Sequence, residues 1–174
     1  VIKYAKRLNK PSIIDVGTGT GAIAIALSKE LNLPVYASDI STKAIEVARK
    51  NVEKTNSKVS LLLGDMLKPY IDKNIKVDIL VSNPPYIRED EEIEKIVKDN
   101  EPEIALYAPN NGLFYYEEIL KNASKVLKDK FLIAFEIGEK QGDDVKELAH
   151  KYLKDVKVEI KKDLSDKNRF VFVY

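Results

Sequence analysis

The feature that most constrains the fold of this chain is the repeated alternation of short apolar runs with amphipathic runs of helical period. Residues 12–16 are predicted to form a buried strand that ends in a glycine-rich turn, and residues 20–31 are predicted to form the helix that follows. Further strands are predicted at residues 35–38, 59–63, 77–81 and 131–137. Such strand–helix alternation predicts an α/β fold with a parallel, doubly wound sheet and helices on both faces.

The remaining patterns complete this sheet and its helices. Ser41 is a favourable N-cap for the helix after the second strand. Further helices are predicted at residues 2–8, 89–98, 112–127 and 145–152. Two final strands, at residues 156–160 and 169–173, are predicted to pair around a turn at residues 163–168. The expected architecture is therefore a mostly parallel seven-stranded sheet with one antiparallel strand near the C-terminus.

Composition excludes several classes of protein. The 174 residues are enough for one domain with a substantial core. The net charge of +1 is not the strongly basic balance expected of a nucleic-acid binder. The absence of cysteine and the single histidine, His150, argue against disulfides and against thiolate or multi-histidine metal sites. Because no apolar run approaches the ~18 residues of a membrane span, we expect a cytoplasmic protein with no metal and no membrane partner.

Four sequence motifs each follow a predicted strand directly. They are the glycine-rich turn Gly17–Gly21, Asp39, the pair Asp65-Met66, and the run Asn83–Tyr86. The carboxyl ends of parallel strands meet at one edge of a sheet, and doubly wound sheets bind ligands there. The sequence therefore predicts a single site at this edge.

The first three motifs favour a nucleoside-containing cofactor. Glycines allow a tight turn and the close approach of a ligand to the backbone, and a carboxylate such as Asp39 can accept hydrogen bonds from both ribose hydroxyls. Asp65 could accept a hydrogen bond from an adenine amino group, and Met66 could pack on the ring. Because Gly17, Gly19 and Ala22 also satisfy the weak dinucleotide pattern G-x-G-x-x-G/A, the residues alone leave NAD and S-adenosylmethionine (SAM) open.

The fourth motif, Asn83-Pro84-Pro85-Tyr86, indicates the reaction class. Two prolines donate no hydrogen bond and restrict the backbone, which predicts a rigid arch with carbonyl groups free to accept. The side-chain oxygen of Asn83 and the carbonyl of Pro84 could accept both hydrogens of a planar –NH₂ group. Such a site would orient a weakly nucleophilic nitrogen towards a methyl donor. It offers nothing that serves hydride transfer, so this motif favours SAM over NAD.

In this order, the four motifs resemble those of class I SAM-dependent methyltransferases that modify planar nitrogens. More specifically, nearly the whole chain resembles the HemK/PrmC family, the protein-(glutamine-N5) methyltransferases of peptide chain release factors. The further residues that carry this resemblance are Glu101-Pro102, Ala105-Leu106, Gly112-Leu113, Tyr115-Tyr116, Glu136–Gly138, Gln141, Lys162-Asp163 and Arg169-Phe170.

The resemblance implies a Rossmann-like class I methyltransferase domain over residues 1–174, with SAM as cofactor and S-adenosylhomocysteine as product. The methionine part of SAM would be wrapped by Gly17, Thr18, Gly19, Thr20 and Gly21. Asp39 would bind its ribose, while Asp65 and Met66 would flank its adenine. Asn83 would lie between cofactor and substrate, and Pro84, Pro85 and Tyr86 would frame the glutamine amide. The implied catalytic residues are Asn83, Pro84 and Tyr86.

The implied partner is a class 1 peptide chain release factor, methylated by a monomeric enzyme on the glutamine of its Gly-Gly-Gln loop. The family also carries an N-terminal helical domain, which is not expected within residues 1–174. Two alternatives remain, namely a methyltransferase of adenine or guanine amines in nucleic acids and a non-catalytic SAM-binding module. Acidic residues after the arch, at 89–92 and 94, disfavour the first because they would repel phosphates. The intact Asn83–Tyr86 motif disfavours the second.

Overall fold

The computed structural model describes residues 1–88 and 106–174. Within these residues, one seven-stranded sheet has the strand order β3-β2-β1-β4-β5-β7-β6. All neighbouring strands are parallel except β7, which is antiparallel to both β5 and β6. The strands are β1 Ile13–Val16, β2 Val35–Asp39, β3 Val59–Leu63, β4 Val77–Ser82, β5 Leu127–Glu136, β6 Val158–Lys162 and β7 Asn168–Val173. The predicted mostly parallel sheet with an antiparallel C-terminal strand is confirmed.

Six helices accompany this sheet in the described ranges. They are α1 Ile2–Ala5, α2 Ala22–Leu31, α3 Thr42–Thr55, α4 Lys68–Asp72, α5 Phe114–Ala123 and α6 Gly142–Tyr152. The predicted N-cap of α3 is confirmed, since the hydroxyl of Ser41 accepts a hydrogen bond from the Ala44 amide at 3.3 Å. The helix predicted at residues 89–98 and the acidic run within it lie outside the described residues.

Side chains alternate across the sheet and fill two separate apolar layers. In β1, Ile14 and Val16 belong to the larger layer, which also contains Tyr116 and Phe135. Ile13 points to the other side, into a smaller layer that is completed by α1 and α2. Successive residues of a strand face opposite sides, so β1 is covered on both faces, as expected of a parallel sheet.

The register aligns the carboxyl ends of the central strands. Val16 of β1 pairs with Ser38 of β2 on one side and with Ser82 of β4 on the other. Asp39 pairs with Leu63, the last residue of β3. From β1 the chain adds β2 and β3 on one side of the sheet, and it then places β4 on the other side of β1. This reversal leaves a crevice at the carboxyl ends of β1 and β4, where doubly wound sheets bind ligands.

Some predicted boundaries were wrong. Strand β5 begins at Leu127 instead of residue 131, because it continues through exposed residues 128–130 that resemble a turn in sequence. Helix α4 was not predicted, since it has only five residues and contains Pro69 in its first turn. Helix α1 ends at Ala5 instead of residue 8, and α5 is shorter at both ends than the predicted residues 112–127. Strand β6 lies two residues further along the chain than predicted.

No helix in residues 1–88 or 106–174 combines the length and apolar character that crossing a membrane would require.

Candidate active site

The glycine-rich loop leaves β1 and turns into α2 along the crevice. Gly17 and Gly19 have φ values of 71° and 56°, a left-handed conformation that other residues rarely adopt. A Cβ atom at either position would meet no atom within 4 Å. The glycines therefore serve the turn itself and leave the space beside the loop open to a ligand.

Asp15 supports this loop from below. Its carboxylate is fully buried, and one oxygen, Oδ2, accepts hydrogen bonds from the Thr18 hydroxyl at 2.6 Å and the Ala24 amide at 3.2 Å. The other oxygen, Oδ1, has no hydrogen-bond partner among the described residues. Burial raises the pKa of Asp15 from 3.8 to about 6, although the hydrogen bonds from Thr18 and Ala24 act in the opposite direction.

Asp39 joins the glycine loop to the end of β2. Its Oδ2 accepts a hydrogen bond from the Gly19 amide at 2.9 Å, and its Oδ1 accepts one from the Ser41 amide at the same distance. Asp39 therefore fixes the backbone just before α3 as well as standing at the crevice. Each carboxylate oxygen can accept more than one hydrogen bond, so a ligand hydroxyl can still be bound.

The segment after β3 forms the next part of the edge. Asp65 is exposed, while the half-buried Met66 packs against the larger apolar layer and has a φ of 40°. Exposed apolar side chains lie beside it, since Leu63 is 56% and Ile40 is 57% exposed. Leu63 and Ile40 were not predicted to belong to the site. Each lies directly at the end of a strand, so its position in the sequence could have indicated it.

The Asn83–Tyr86 arch follows β4 on the other side of the glycine loop. Asn83 is exposed, and its side chain makes no hydrogen bond to any described residue. Pro84 is buried, whereas Pro85 and Tyr86 are partly exposed. Because Ser82 pairs with Val16, Asn83 and Gly17 leave adjacent strands side by side. The structure thus brings the predicted glycine loop, Asp39, Asp65-Met66 and the arch to one edge.

A polar network lies behind the arch, on strands β5 and β7. The Tyr116 hydroxyl donates a hydrogen bond to the Glu136 carbonyl at 2.8 Å. Burial raises the pKa of the Glu136 carboxyl, while the Arg169 guanidinium partly offsets this effect. Arg169 donates hydrogen bonds to Asp163 at 3.2 Å and to the Ile137 carbonyl at 3.2 Å, so it pairs with Asp163 across the turn between β6 and β7.

Gln141 contacts the arch directly, and sequence reasoning assigned it no role in the site. Its side-chain Nε2 donates a hydrogen bond to the Tyr86 carbonyl at 3.0 Å. The two residues are 55 positions apart, so no local pattern could have indicated this contact.

The described part of the chain contains no group of three or more His, Asp or Glu residues placed to bind a metal ion. Asp39 and Asp65 place two carboxylates at this edge, and their negative charge favours a cationic ligand.

Comparison with protein families decides the classification. Residues 3–101, which include every motif from the glycine loop to the arch, match the family described as the methyltransferase small domain. The chain belongs to this family. Its topology is that of the class I methyltransferases.

Among curated proteins, this methyltransferase domain is similar to the release factor glutamine methyltransferase of Bacillus subtilis (strain 168). The two are 44% identical over 165 residues, which cover 93% of this chain and 57% of that protein. The chain therefore spans somewhat more than half the length of this relative.

Solved structures share the fold of the methyltransferase domain at much lower identity. A methyltransferase from Pyrococcus furiosus superposes with a TM-score of 0.71 at 20% identity, covering 98% of this chain and 78% of that one. Aeropyrum pernix fibrillarin, in complex with natively bound S-adenosyl-L-methionine, has a TM-score of 0.65 at 12% identity and covers 95% of this chain and 67% of its own.

Proposed function

We propose that this methyltransferase domain binds SAM at the crevice edge and transfers its methyl group to the side-chain amide nitrogen of a glutamine in a peptide chain release factor. The observation that carries this proposal is the position of Asn83. Asn83 follows the end of β4 beside the glycine loop that follows β1, and its side-chain amide makes no hydrogen bond to any residue that the structure describes. A cofactor on the loop and an amide on the arch would therefore be neighbours.

The residues at the edge fit SAM. The glycine loop has open space where Cβ atoms would stand, and the Asp39 carboxylate at the end of β2 suits the ribose hydroxyls. Asp65 and Met66, with the exposed apolar side chains of Ile40 and Leu63, suit the edge and faces of an adenine ring. The acidic character of the edge suits the positive charge of a sulfonium. When bound, SAM supplies an electrophilic methyl group.

Thr18 and Thr20 would contribute through the shape of the loop. The Thr18 amide donates to the Ser38 carbonyl at 2.8 Å, and its hydroxyl is turned inward to Asp15. The Thr20 carbonyl accepts a hydrogen bond from Asn51 of α3 at 2.9 Å. These bonds keep the loop in one conformation, so that Gly17, Gly19 and Gly21 present backbone to the ligand.

The arch supplies orientation on the acceptor side. Asn83 Oδ1 and the Pro84 carbonyl accept the two N–H hydrogens of the substrate amide, which directs the nitrogen lone pair towards the methyl group. Pro85 and the ring of Tyr86 confine the amide plane. Fixed carbonyl dipoles also stabilise the positive charge that develops on this nitrogen in the transition state. After transfer the nitrogen loses one proton to water, so no strong base is required.

The choice of substrate rests on similarity. The Bacillus subtilis relative is named as a release factor glutamine methyltransferase, and the two chains are 44% identical over nearly all of this chain. A primary amide offers two coplanar hydrogens to two converging acceptors, as an aromatic amine also does, so the arch by itself fits either group.

One experiment tests the cofactor, the reaction and the substrate together. The chain is incubated with methyl-labelled SAM, a class 1 release factor and an equal mass of mixed RNA and DNA. A release factor whose Gly-Gly-Gln glutamine is replaced by asparagine serves as the matched control. We expect label on the release factor, mapped to that glutamine, and none on the control.

Label on nucleic acid would overturn the substrate while leaving the cofactor in place. SAM binding without label on any macromolecule would overturn the transfer activity of this chain. A chain that does not bind SAM at all, measured by calorimetry, would overturn the whole proposal.

A further inference from the structure

The Asn83–Tyr86 arch is fixed to the fold at both ends. At its start, Ser82 pairs with Val16 in the sheet, and its hydroxyl donates to the Val16 carbonyl at 2.7 Å. At its end, the Tyr86 carbonyl accepts the hydrogen bond from Gln141 Nε2 at 3.0 Å. The two prolines between these points add stiffness but make no hydrogen bond of their own through nitrogen.

The side chain of Gln141 has one defined orientation. Its Oε1 accepts a hydrogen bond from the Gly138 amide at 2.9 Å. Because an amide group has its oxygen on one side and its –NH₂ on the other, this bond turns Nε2 towards the arch. Nε2 also lies 3.4 Å from the Asn111 carbonyl. A single side chain thus links the arch to the loop before α5 and to the loop before α6.

The surroundings of Gln141 leave little room for another arrangement. A Cβ atom at Gly112 would collide with the Tyr86 carbonyl oxygen and would stand 2.5 Å from Gln141 Nε2. The backbone at Gly112 therefore approaches both groups as closely as a residue can. Because the packing is this tight, the hydrogen bond from Gln141 restricts the position of the Tyr86 carbonyl.

Gln141 is not needed to cap its own helix. It is the N-cap residue of α6, yet its side chain makes no hydrogen bond to the first turn of that helix. Its backbone carbonyl accepts the first helical bond, from the Val145 amide at 3.0 Å, and any residue would supply this carbonyl. The side chain can therefore be changed without uncapping α6.

We propose that Gln141 is a positioning residue that sets the geometry of the arch for methyl transfer. This inference rests on the proposed function and deepens it. The residue after Tyr86, Ile87, is held separately by backbone hydrogen bonds to Leu106 and Ala108, so Gln141 is the contact that fixes the Tyr86 carbonyl itself. Without this bond the Tyr86 peptide can shift, and with it the Pro84 carbonyl and Asn83 that orient the substrate amide.

A displacement of about 1 Å at reacting groups can lower the reaction rate ~100-fold. Loss of the hydrogen bond from Gln141 therefore lowers kcat. Cofactor binding, which uses the glycine loop and Asp39, is left unchanged.

The test compares Gln141→Glu and Gln141→Ala with the parent chain. Gln141→Glu retains Oε1 for the Gly138 amide but replaces the donor with a carboxylate oxygen that repels the Tyr86 carbonyl, so it breaks the link to the arch selectively. Lys140→Ala, at an exposed neighbouring position, is the matched control. We expect kcat for release-factor methylation to fall about 30- to 100-fold in both Gln141 variants. KM for SAM should stay within about twofold, and Lys140→Ala should match the parent chain.

A second readout does not depend on the reaction. The Ile87 amide donates to the Leu106 carbonyl, and the Gly112 amide donates to the Ala108 carbonyl, so their hydrogen exchange reports on the arch and its neighbouring loop. We expect exchange at both amides to be at least ~10-fold faster in Gln141→Glu. Exchange in the core of β1 should be unchanged.

The outcomes separate the two proposals. If the parent chain transfers no methyl group but the exchange rates rise as expected, the proposed function and the catalytic role of Gln141 fail, whereas its structural role in holding the arch stands. If the parent chain is active and the Gln141 variants keep kcat within twofold, the positioning role is overturned. It is also overturned if the variants lose kcat, SAM affinity and protection of β1 together, because that pattern indicates general destabilisation.

Discussion

Asp15 is the residue in the described part of the chain whose ionisation is most at odds with its surroundings. It lies in the middle of β1 with no exposed surface, and only one of its two oxygens accepts hydrogen bonds. Burial of a charged carboxylate costs a large desolvation free energy unless the group is paired and hydrogen-bonded. The fold tolerates this residue because its Oδ2 ties the glycine loop to the start of α2.

The ionisation of Asp15 predicts a pH dependence of stability. Its pKa is about 6 in the folded state against 3.8 as the ordinary value, so the folded state binds more protons between these pH values. The contribution of Asp15 to the free energy of unfolding therefore falls as pH rises from about 4 to 6, by up to about 3 kcal/mol. Asp15→Asn cannot ionise, so its stability relative to the parent chain should rise over this range.

Urea unfolding at several pH values between 4 and 7.5 measures this difference. Asp129→Asn, at an exposed position on β5, is the control and should follow the parent chain. The buried –NH₂ of Asp15→Asn adds a cost that does not depend on pH, so the slope is the relevant quantity. Parallel stability curves for Asp15→Asn and the parent chain would contradict the assignment.

Asn83 allows binding and transfer to be separated at a single side chain. Asn83→Ala removes the proposed acceptor for the substrate amide but breaks no side-chain hydrogen bond to a described residue. We expect methyl transfer to fall by about 100-fold or more while SAM affinity stays within a few-fold, because the lost interaction belongs to the transition state. Kinetics with labelled SAM and calorimetry measure the two quantities. Asn9→Ala, at an exposed position, is the control, and unchanged turnover in Asn83→Ala would end the proposed mechanism.

At the scale of elements, the N-terminus of α3 connects stability to the site. The Ser41 hydroxyl caps this helix through the Ala44 amide, and the Ser41 amide donates to Asp39. The start of α3 and the position of Asp39 are therefore fixed by the same residue. The helix also packs closely on the glycine loop, since a Cβ atom at Gly21 would stand 3.3 Å from the Ala48 Cβ.

Loss of this cap should destabilise the domain measurably. Ser41→Ala leaves the Ala44 amide without its side-chain acceptor and should lower the free energy of unfolding by about 1 kcal/mol. Ser41→Gly should cost only a few tenths of a kcal/mol. Urea unfolding checks both values against Ser165→Ala, an exposed turn position whose hydroxyl makes no hydrogen bond among the described residues. Equal stability of Ser41→Ala and Ser165→Ala would show that the hydrogen bond contributes nothing.

For the whole molecule, cofactor binding and global stability are linked. The crevice is built from the ends of four adjacent strands, which form the sheet from its β3 edge to its central strand β4. A ligand that binds only the folded state stabilises it in proportion to the logarithm of its concentration. SAM bound at this edge should therefore raise the melting temperature of the entire domain.

At 100 times its Kd, SAM should add about 2.7 kcal/mol and raise Tm by about 5–10 °C. Gly19→Ala adds a Cβ to a loop residue whose φ is 56°, and it should abolish most of the increase in Tm that SAM produces. Asn74→Ala is the matched control, because Asn74 has a φ of 51° at an exposed position away from the loop. Thermal unfolding with and without SAM makes the comparison, and an equal gain in both variants would count against binding at the loop.

The sequence alone determined the order of elements and the edge at which the site forms. Strands β1 to β4 were predicted to within one residue at either end, because each is a short run rich in apolar residues that stops at or just before glycine, aspartate or asparagine. Motifs at the ends of parallel strands must meet at one edge, so Gly17–Gly21, Asp39, Asp65 and Asn83 could be placed together from local signals. The capping role of Ser41 was equally local.

Only the tertiary structure determined which contacts fix these residues in place and how far burial shifts their pKa values. The pKa of Asp15 depends on its burial within the folded domain, and no pattern around residue 15 encodes it. The link from Gln141 to the Tyr86 carbonyl joins residues 55 positions apart. Strand β5 extends beyond its apolar run since its pairing with β4 continues at Leu127. The local sequence determines where each strand ends. Contacts between segments that are distant in sequence determine how the residues at those ends are positioned relative to one another.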